Sequence, residues 1–248
     1  MCARWRRTPH GPTTPVWKNE RMFVMTILEA MQARHSVRSY KDVPLKPEDI
    51  QTLQREIDAC NKEGGLHIQL VTNEPKAFDS FMAHYGKFSG VQNYIALIGK
   101  KSAGLDEKLG YYGERLVLLA QTLGLNTCWV AMTFGKGAAK SRCTIGPGEK
   151  LVCVLSLGYG ATQGVAHKSK PMENLCQVDG TMPEWFRKGM QAAMLAPTAM
   201  NQQKFMISLT GNTVTAKSFR GFYAKTDLGI VKYHFEAGAG KENVTWAE

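Results

Sequence analysis

Two stretches of the chain repeat the same order of signals. Pro47-Glu48-Asp49-Ile50 opens an amphipathic segment that leads to the apolar stretch Ile68–Asn73, and Pro183-Glu184-Trp185-Phe186 opens another that leads to Ile207–Asn212. Later, Leu109-Gly110 leading to Asn126-Thr127-Cys128-Trp129-Val130 is echoed by Leu228-Gly229 leading to Asn243-Val244-Thr245-Trp246-Ala247. Short helix-loop-strand units also resemble one another by chance, but two matches in the same order predict a duplicated unit. Such a unit cannot bury its apolar face alone, so the copies are expected to share one core. The predicted halves are residues 25–170 and 171–248, behind a tail at 1–24.

Local signals fill in the elements. Thr26 and Glu29 form a capping box before Ile27, Leu28 and Met31. The helix starting at Pro47 buries Ile50, Leu53, Ile57 and Cys60 on one face and stops at Gly64-Gly65. Strands are predicted at 66–71, 94–98, 128–132 and 151–157, with a long helix over about 106–123. Thr181 and Glu184 suggest a second capping box, opening a helix that ends at Ala196-Pro197. Thr210-Gly211-Asn212 between two β-rich stretches signals a hairpin, and a last helix covers about 227–237. Helices and strands alternate irregularly, which points to a mixed α/β or α+β class.

Composition removes several classes. At 44% hydrophobic and 21% charged, the chain is too apolar for a disordered protein. No run approaches the roughly 18 apolar residues of a membrane span, so no membrane role is expected. The net charge of +10 is partly carried by Arg4, Arg6, Arg7, Lys18 and Arg21 in a Pro-rich start. That start has no apolar run of a secretory signal and is expected to be a disordered tail or an upstream extension. The remaining charge favours an anionic ligand, and no nucleic-acid module accompanies it. Six cysteines without a C-x-x-C pair suggest reduced thiols in a cytoplasmic protein and no metal site.

Four segments carry chemistry. Arg34-His35-Ser36-Val37-Arg38 offers two guanidiniums and a hydroxyl, donors suited to a phosphate, although cations also suit a helix C-terminus. Ala196-Pro197-Thr198-Ala199-Met200-Asn201-Gln202-Gln203 presents three amides that donate and accept, as a heterocycle edge or a polyol requires, or as an ordinary turn does. His167-Lys168-Ser169-Lys170-Pro171 places two lysines where both reach one anion, or where both are simply solvated. Gly124-Leu125-Asn126-Thr127-Cys128-Trp129-Val130-Ala131-Met132 delivers an apolar, aromatic strand suited to covering a flat ring or to filling a core.

Together these segments resemble the FMN-dependent nitroreductase family, over nearly the whole chain apart from the tail. The resemblance implies an α+β fold with mixed and antiparallel sheets flanked by helices. It implies that Arg34, His35, Ser36 and Arg38 hold the FMN phosphate and ribityl chain, joined by Lys168 and Lys170. Asn201, with Gln203 nearby, would meet the flavin edge, and Trp129, Val130 and Ala131 would cover one flavin face. No catalytic side chain is nominated, because the flavin carries the chemistry. The implied function is reduction of nitroaromatics, quinones or similar flat acceptors by NADH or NADPH in a ping-pong cycle. A non-enzymatic flavin sensor, reductive dehalogenation and flavin breakdown are the alternatives.

The chain departs from the family pattern in order. Ordinary members carry the Asn loop soon after the Arg-x-Ser-x-Arg segment. Here that slot is Asn61-Lys62-Glu63-Gly64-Gly65, and the amide loop lies in the second repeat, ending Gln203-Lys204 rather than Gln-Pro. This arrangement resembles the TM-type branch, in which one chain contains two nitroreductase-like halves. A monomeric pseudo-dimer with one flavin per chain is therefore expected, with homodimerisation still open.

Overall fold

The computed structural model describes residues 25–247; the expected tail lies outside them. After α1 (Ile27–Ala33) and α2 (Pro47–Gly64), β1 (Gln69–Val71) leads through α3 (Phe81–Tyr85) to β2 (Asn93–Lys100), α4 (Leu105–Thr122), β3 (Asn126–Val130), α5 (Lys136–Ser141) and β4 (Glu149–Gly158). These strands form one sheet in the order β1-β2-β4-β3, every neighbour antiparallel. The chain then crosses to β5 (Cys176–Val178), α6 (Glu184–Ala193), β6 (Phe205–Thr210), β7 (Thr213–Ser218), α7 (Ala224–Ala239) and β8 (Thr245–Trp246). The second sheet runs β5-β6-β7-β8, with only the central pair antiparallel. The class is α+β with mixed sheets.

Local chemistry accounts for most boundaries. The Thr26 hydroxyl accepts the Glu29 N–H while the Glu29 carboxylate accepts the Thr26 N–H, closing the capping box of α1. Pro47 starts α2, and Gly65 ends it in the left-handed conformation, with φ +61°. The strand expected from residue 66 begins only at Gln69, because the Asn61 side chain brackets both the N–H and the carbonyl of Ile68. The second capping box does not form: α6 starts after Pro183, without a side-chain cap. With Thr181 as the cap, Met182 would have to be helical, and the residue before a proline is driven out of that conformation.

β2 is buried along both faces, and its alternation splits the core. Ile95 and Leu97 pack with α2 and α4, whereas Tyr94, Ala96 and Ile98 pack with Phe78 and Phe88. The register slips between Leu97, opposite Cys153, and Ile98, opposite Leu151. Val152 is thus the extra residue of a bulge, which turns Val152 and Cys153 to the same side. Leu175, Phe186, Met190, Ile207 and Phe235 fill a separate core under the second sheet, and Trp129 touches both.

α4 and α7 pack along the centre of the molecule. A Cβ on Gly110 would overlap the Thr226 carbonyl, and one on Gly229 would overlap the Glu107 carbonyl. Each glycine thus receives a backbone oxygen from the helical turn that precedes the other glycine.

Candidate functional site

A cavity of about 280 Å³ lies between β3, at the edge of the first sheet, and the start of α7. One wall is the end of β3, where Trp129, Val130 and Ala131 are followed by the exposed Met132. Ser36 and Arg38 close one end. The segment Pro197–Met200 faces them, and the first turns of α7 contribute Tyr223, Thr226 and Asp227. Arg38 and Asp227 are the charged residues among those that line it. Cys153 reaches the wall through the bulge in β4.

The Arg-His-Ser-Val-Arg segment is fastened to β3 rather than to α1. Ser36 pairs with Thr127 as an isolated parallel bridge, and the Val37 N–H donates to the Thr127 carbonyl at 3.0 Å. Arg34, at the C-cap of α1, is buried, with its Nε 3.9 Å from a Glu114 oxygen. Its Nε and Nη1 find no protein acceptor. Arg38 is exposed over the Phe88 ring, 5.9 Å from the centroid. His35 is half-buried under Gly164, which has φ +70° and where a Cβ would strike His35 and the Ser36 carbonyl. Close passage of that strand of chain therefore requires glycine.

The amide loop and the lysine loop form one unit. Asn201 Nδ2 and Gln203 Nε2 both donate to the Lys168 carbonyl, at 2.9 and 2.8 Å. The Gln203 Oε1 accepts the Lys170 N–H at 2.7 Å, and the Lys170 ammonium donates to the Gln202 and Gln203 carbonyls. Met200, Asn201 and Gln203 all have positive φ, near +50°. Such residues cost roughly 1 kcal/mol or more each, so the surrounding bonds must hold the loop in this shape. Lys168 is exposed, and the Lys170 ammonium is committed to the loop. The structure thus brings Ser36, Arg38 and Trp129–Ala131 to the cavity wall. Arg34, His35, Lys168, Lys170, Asn201 and Gln203 stand behind it or at its margin.

Asp227 is the second clamp on that loop. It is buried and accepts the Ala199 N–H at 3.0 Å and the Gln202 side-chain N–H at 2.7 Å. Burial pushes its pKa up to about 6, and the two hydrogen bonds oppose that rise. Next to it, the buried Thr226 hydroxyl lines the cavity without a protein partner. On the side of Arg34, burial lowers the pKa of His167, whose Nε2 lies 3.0 Å from the Met194 carbonyl, and the nearby charges of Arg34, His234 and His35 push in the same direction.

Sequence reasoning missed Asp227, Thr226, Tyr223, Cys153 and Glu114. Asp227 had one available signal, an acidic residue in the first turn of a helix. Glu114 had none, since a single Glu in a long helix suggests a solvated face.

Two four-stranded sheets flanked by helices, with a cavity between a basic segment and an amide loop, define an α+β fold of the nitroreductase type. Residues 26–239 match the family model described as "Putative TM nitroreductase", and the chain belongs to that family. Among solved structures, a "putative nitroreductase" from Thermotoga maritima is similar with a TM-score of 0.61 and 22% identity, over 93% of this chain and 90% of that one. A "Putative NADH dehydrogenase/NAD(P)H nitroreductase" from Bacteroides thetaiotaomicron has a TM-score of 0.50 and 19% identity, over 60% of this chain and 95% of its own. No curated protein matches the chain. Among the described residues, no helix is long and apolar enough to cross a membrane, and no group of three or more His, Cys, Asp or Glu side chains is placed to hold a metal.

Proposed function

We propose that the chain is an FMN-dependent oxidoreductase that uses NADH or NADPH to reduce flat acceptors such as nitroaromatics or quinones. The observation that carries this reading is the cavity between β3 and the start of α7, with donors lacking protein acceptors beside it. Arg34 Nε and Nη1 and the Thr226 hydroxyl are buried without partners. An unmet buried donor costs about 1–3 kcal/mol, more when charged, so these groups fit a polyanionic, hydrogen-bonding cofactor.

Arg34, His35, Ser36 and Arg38 would hold the phosphate and ribityl end, and the buried Arg34 Nη1 without a hydrogen-bond partner supports an anion there. Lys168 would add charge from solvent, while Lys170 would act by fixing the amide loop. Trp129, Val130 and Ala131 would cover one face of the ring, with Asn201 and Gln203 toward its edge. When bound, FMN supplies hydride acceptance from the nicotinamide and hydride donation to the acceptor. The protein orients both reactants against one apolar wall. We nominate no side chain for proton transfer.

The halves 25–170 and 171–248 are proposed to be a duplication that builds both sides of one flavin site within a monomer. The reciprocal packing of Gly110 and Gly229 supports this, and so does the order helix, strand, strand, helix, strand of the second half, which the first half follows apart from the short α3 inserted between β1 and β2. The five free cysteines among the described residues suit a cytoplasmic protein.

The test is an absorbance spectrum of the purified protein, followed by anaerobic addition of NADH and, separately, NADPH. Flavin bands that bleach support the reading. Bound flavin that neither nucleotide bleaches supports the sensor alternative, and absence of flavin after reconstitution overturns the assignment. A flavin-to-protein ratio measured with light scattering should give one FMN per monomer.

A further inference from the structure

Glu114 sits in the middle of α4 with no exposed surface. An ion there costs several kcal/mol unless good partners offset the loss of water. Its Oε2 accepts the Trp129 indole N–H at 2.9 Å, and its Oε1 lies 2.9 Å from His234 Nε2 and 3.9 Å from Arg34 Nε. His234, on α7, is equally buried, and its Nδ1 lies 3.0 Å from the Ala192 carbonyl. A carbonyl only accepts, so Nδ1 carries a hydrogen. A neutral ring would then turn its Nε2 lone pair toward a carboxylate oxygen, which also only accepts. The short contact therefore requires one further proton between Nε2 and Oε1. With that proton, the cluster of Arg34, Glu114 and His234 carries a net positive charge.

This cluster joins three parts of the candidate site. Trp129 is a wall of the cavity, Arg34 heads the basic segment, and Ala192 lies at the end of α6, just before the amide loop. We propose that Glu114, sharing a proton with His234, is the positioning residue of this site: it ties the Trp129 ring to α7 and, through His234 and the Ala192 carbonyl, to the end of α6, with the Arg34 guanidinium alongside. The proposal rests on the flavin reading above.

Two substitutions test it. In Glu114→Gln, the new amide N–H donates to His234 Nε2 while its oxygen still accepts from Trp129, so both hydrogen bonds and the net charge of the proton-sharing pair are kept, and only the attraction of Oε1 for Arg34 at 3.9 Å is given up. In Glu114→Ala, both hydrogen bonds are lost. FMN affinity, followed by quenching of flavin fluorescence, should stay within about threefold of the parent in Glu114→Gln and weaken at least about tenfold in Glu114→Ala. In the flavin-free protein, the Trp129 indole N–H should be protected from hydrogen exchange in the parent and in Glu114→Gln, and exposed to it in Glu114→Ala. A folded Glu114→Ala protein with parental affinity and a protected indole would overturn the positioning role. If that variant fails to fold, Glu114→Gln decides: tenfold tighter binding would mean that the pair held no extra proton, and tenfold weaker binding would mean that the amide cannot take over the carboxylate's connections. The exchange measurement needs no flavin, so it stands even if the parent takes up none.

Discussion

The neighbourhood of Trp129 and that of Trp246 follow one plan and reach opposite ends. Each indole N–H donates to a glutamate on a central helix: Trp129 to Glu114 at 2.9 Å and Trp246 to Glu236 at 2.6 Å. Each helix start reaches the helix-to-strand connection of its own half, α7 through Asp227 and α4 through Lys108, whose ammonium donates to the Gly64 carbonyl. Around Trp129 the cavity lining is mostly apolar. Around Trp246, the Lys232 ammonium lies 5.0 Å over the ring and pairs with Glu107 at 2.5 Å, while the Tyr111 hydroxyl donates to Glu236. A cleft remains in both places: about 280 Å³ beside Trp129, and a more open one of about 420 Å³ beside Trp246, lined by Glu107, Lys108, Lys232 and Glu236. Similar backbones thus diverge through a few side chains: a carboxylate that gathers loop N–H groups builds the rim of an apolar cavity, whereas an ammonium set over an aromatic ring lines its cleft with charge.

The sharpest way to break the comparison is at the contact both regions depend on. Gly229→Ala should destabilise the protein by about 3 kcal/mol or more, since the new methyl group meets a backbone carbonyl that cannot move alone. Denaturant unfolding measures this, and a loss below about 1 kcal/mol would show that the helices slide apart freely. Next in size, Arg38→Ala should weaken FMN about tenfold to a hundredfold, by loss of a charge-assisted donor worth roughly 1.5–3 kcal/mol. Equal affinity for FMN in parent and variant would remove Arg38 from the site.

Asp227 gives a smaller, pH-dependent effect. Its folded pKa, about 6, lies above the ordinary 3.8, so the folded protein binds this proton more readily than the unfolded chain. Its contribution to stability is present below about pH 4 and is lost as pH rises through about 6, at roughly 1 kcal/mol per pH unit in between. Asp227→Asn should flatten that part of the stability profile, and an unchanged profile would assign the slope to other groups. Smallest of all, Lys232→Ala should cost under about 1 kcal/mol, as exposed ion pairs do, and leave FMN affinity within twofold of the parent. A tenfold change in affinity would make the second cleft part of the flavin site.

What could be read in advance follows the range of the forces involved. The Thr26–Glu29 box, the Gly65 stop and the turn at Gly211 are set within a few residues, and each shows in the sequence. The four chemical segments were visible as residue types, and their spatial grouping was expected only through a family likeness. Glu114 was invisible because a helix carries no mark of which polar residue its neighbours will enclose. The clamp at Asp227 depends on Ala199 and Gln202, more than twenty residues away, and the parallel pairing of β5 with β6 brings together strands separated by a whole helix. The Thr181 signal misled because a proline two residues later outweighs a hydroxyl.

The cavity takes its walls from both ends of the chain: Ser36 and Arg38 lie near the start of the described residues, Tyr223 through Asp227 near their finish. During synthesis the first sheet can assemble while the later residues are still being made. The pocket cannot, because its rim and α7 lie more than 150 residues beyond Arg38. A cofactor that needs both walls is therefore captured only after α7 has emerged, and a nascent or prematurely ended product carries the basic segment without a place to use it.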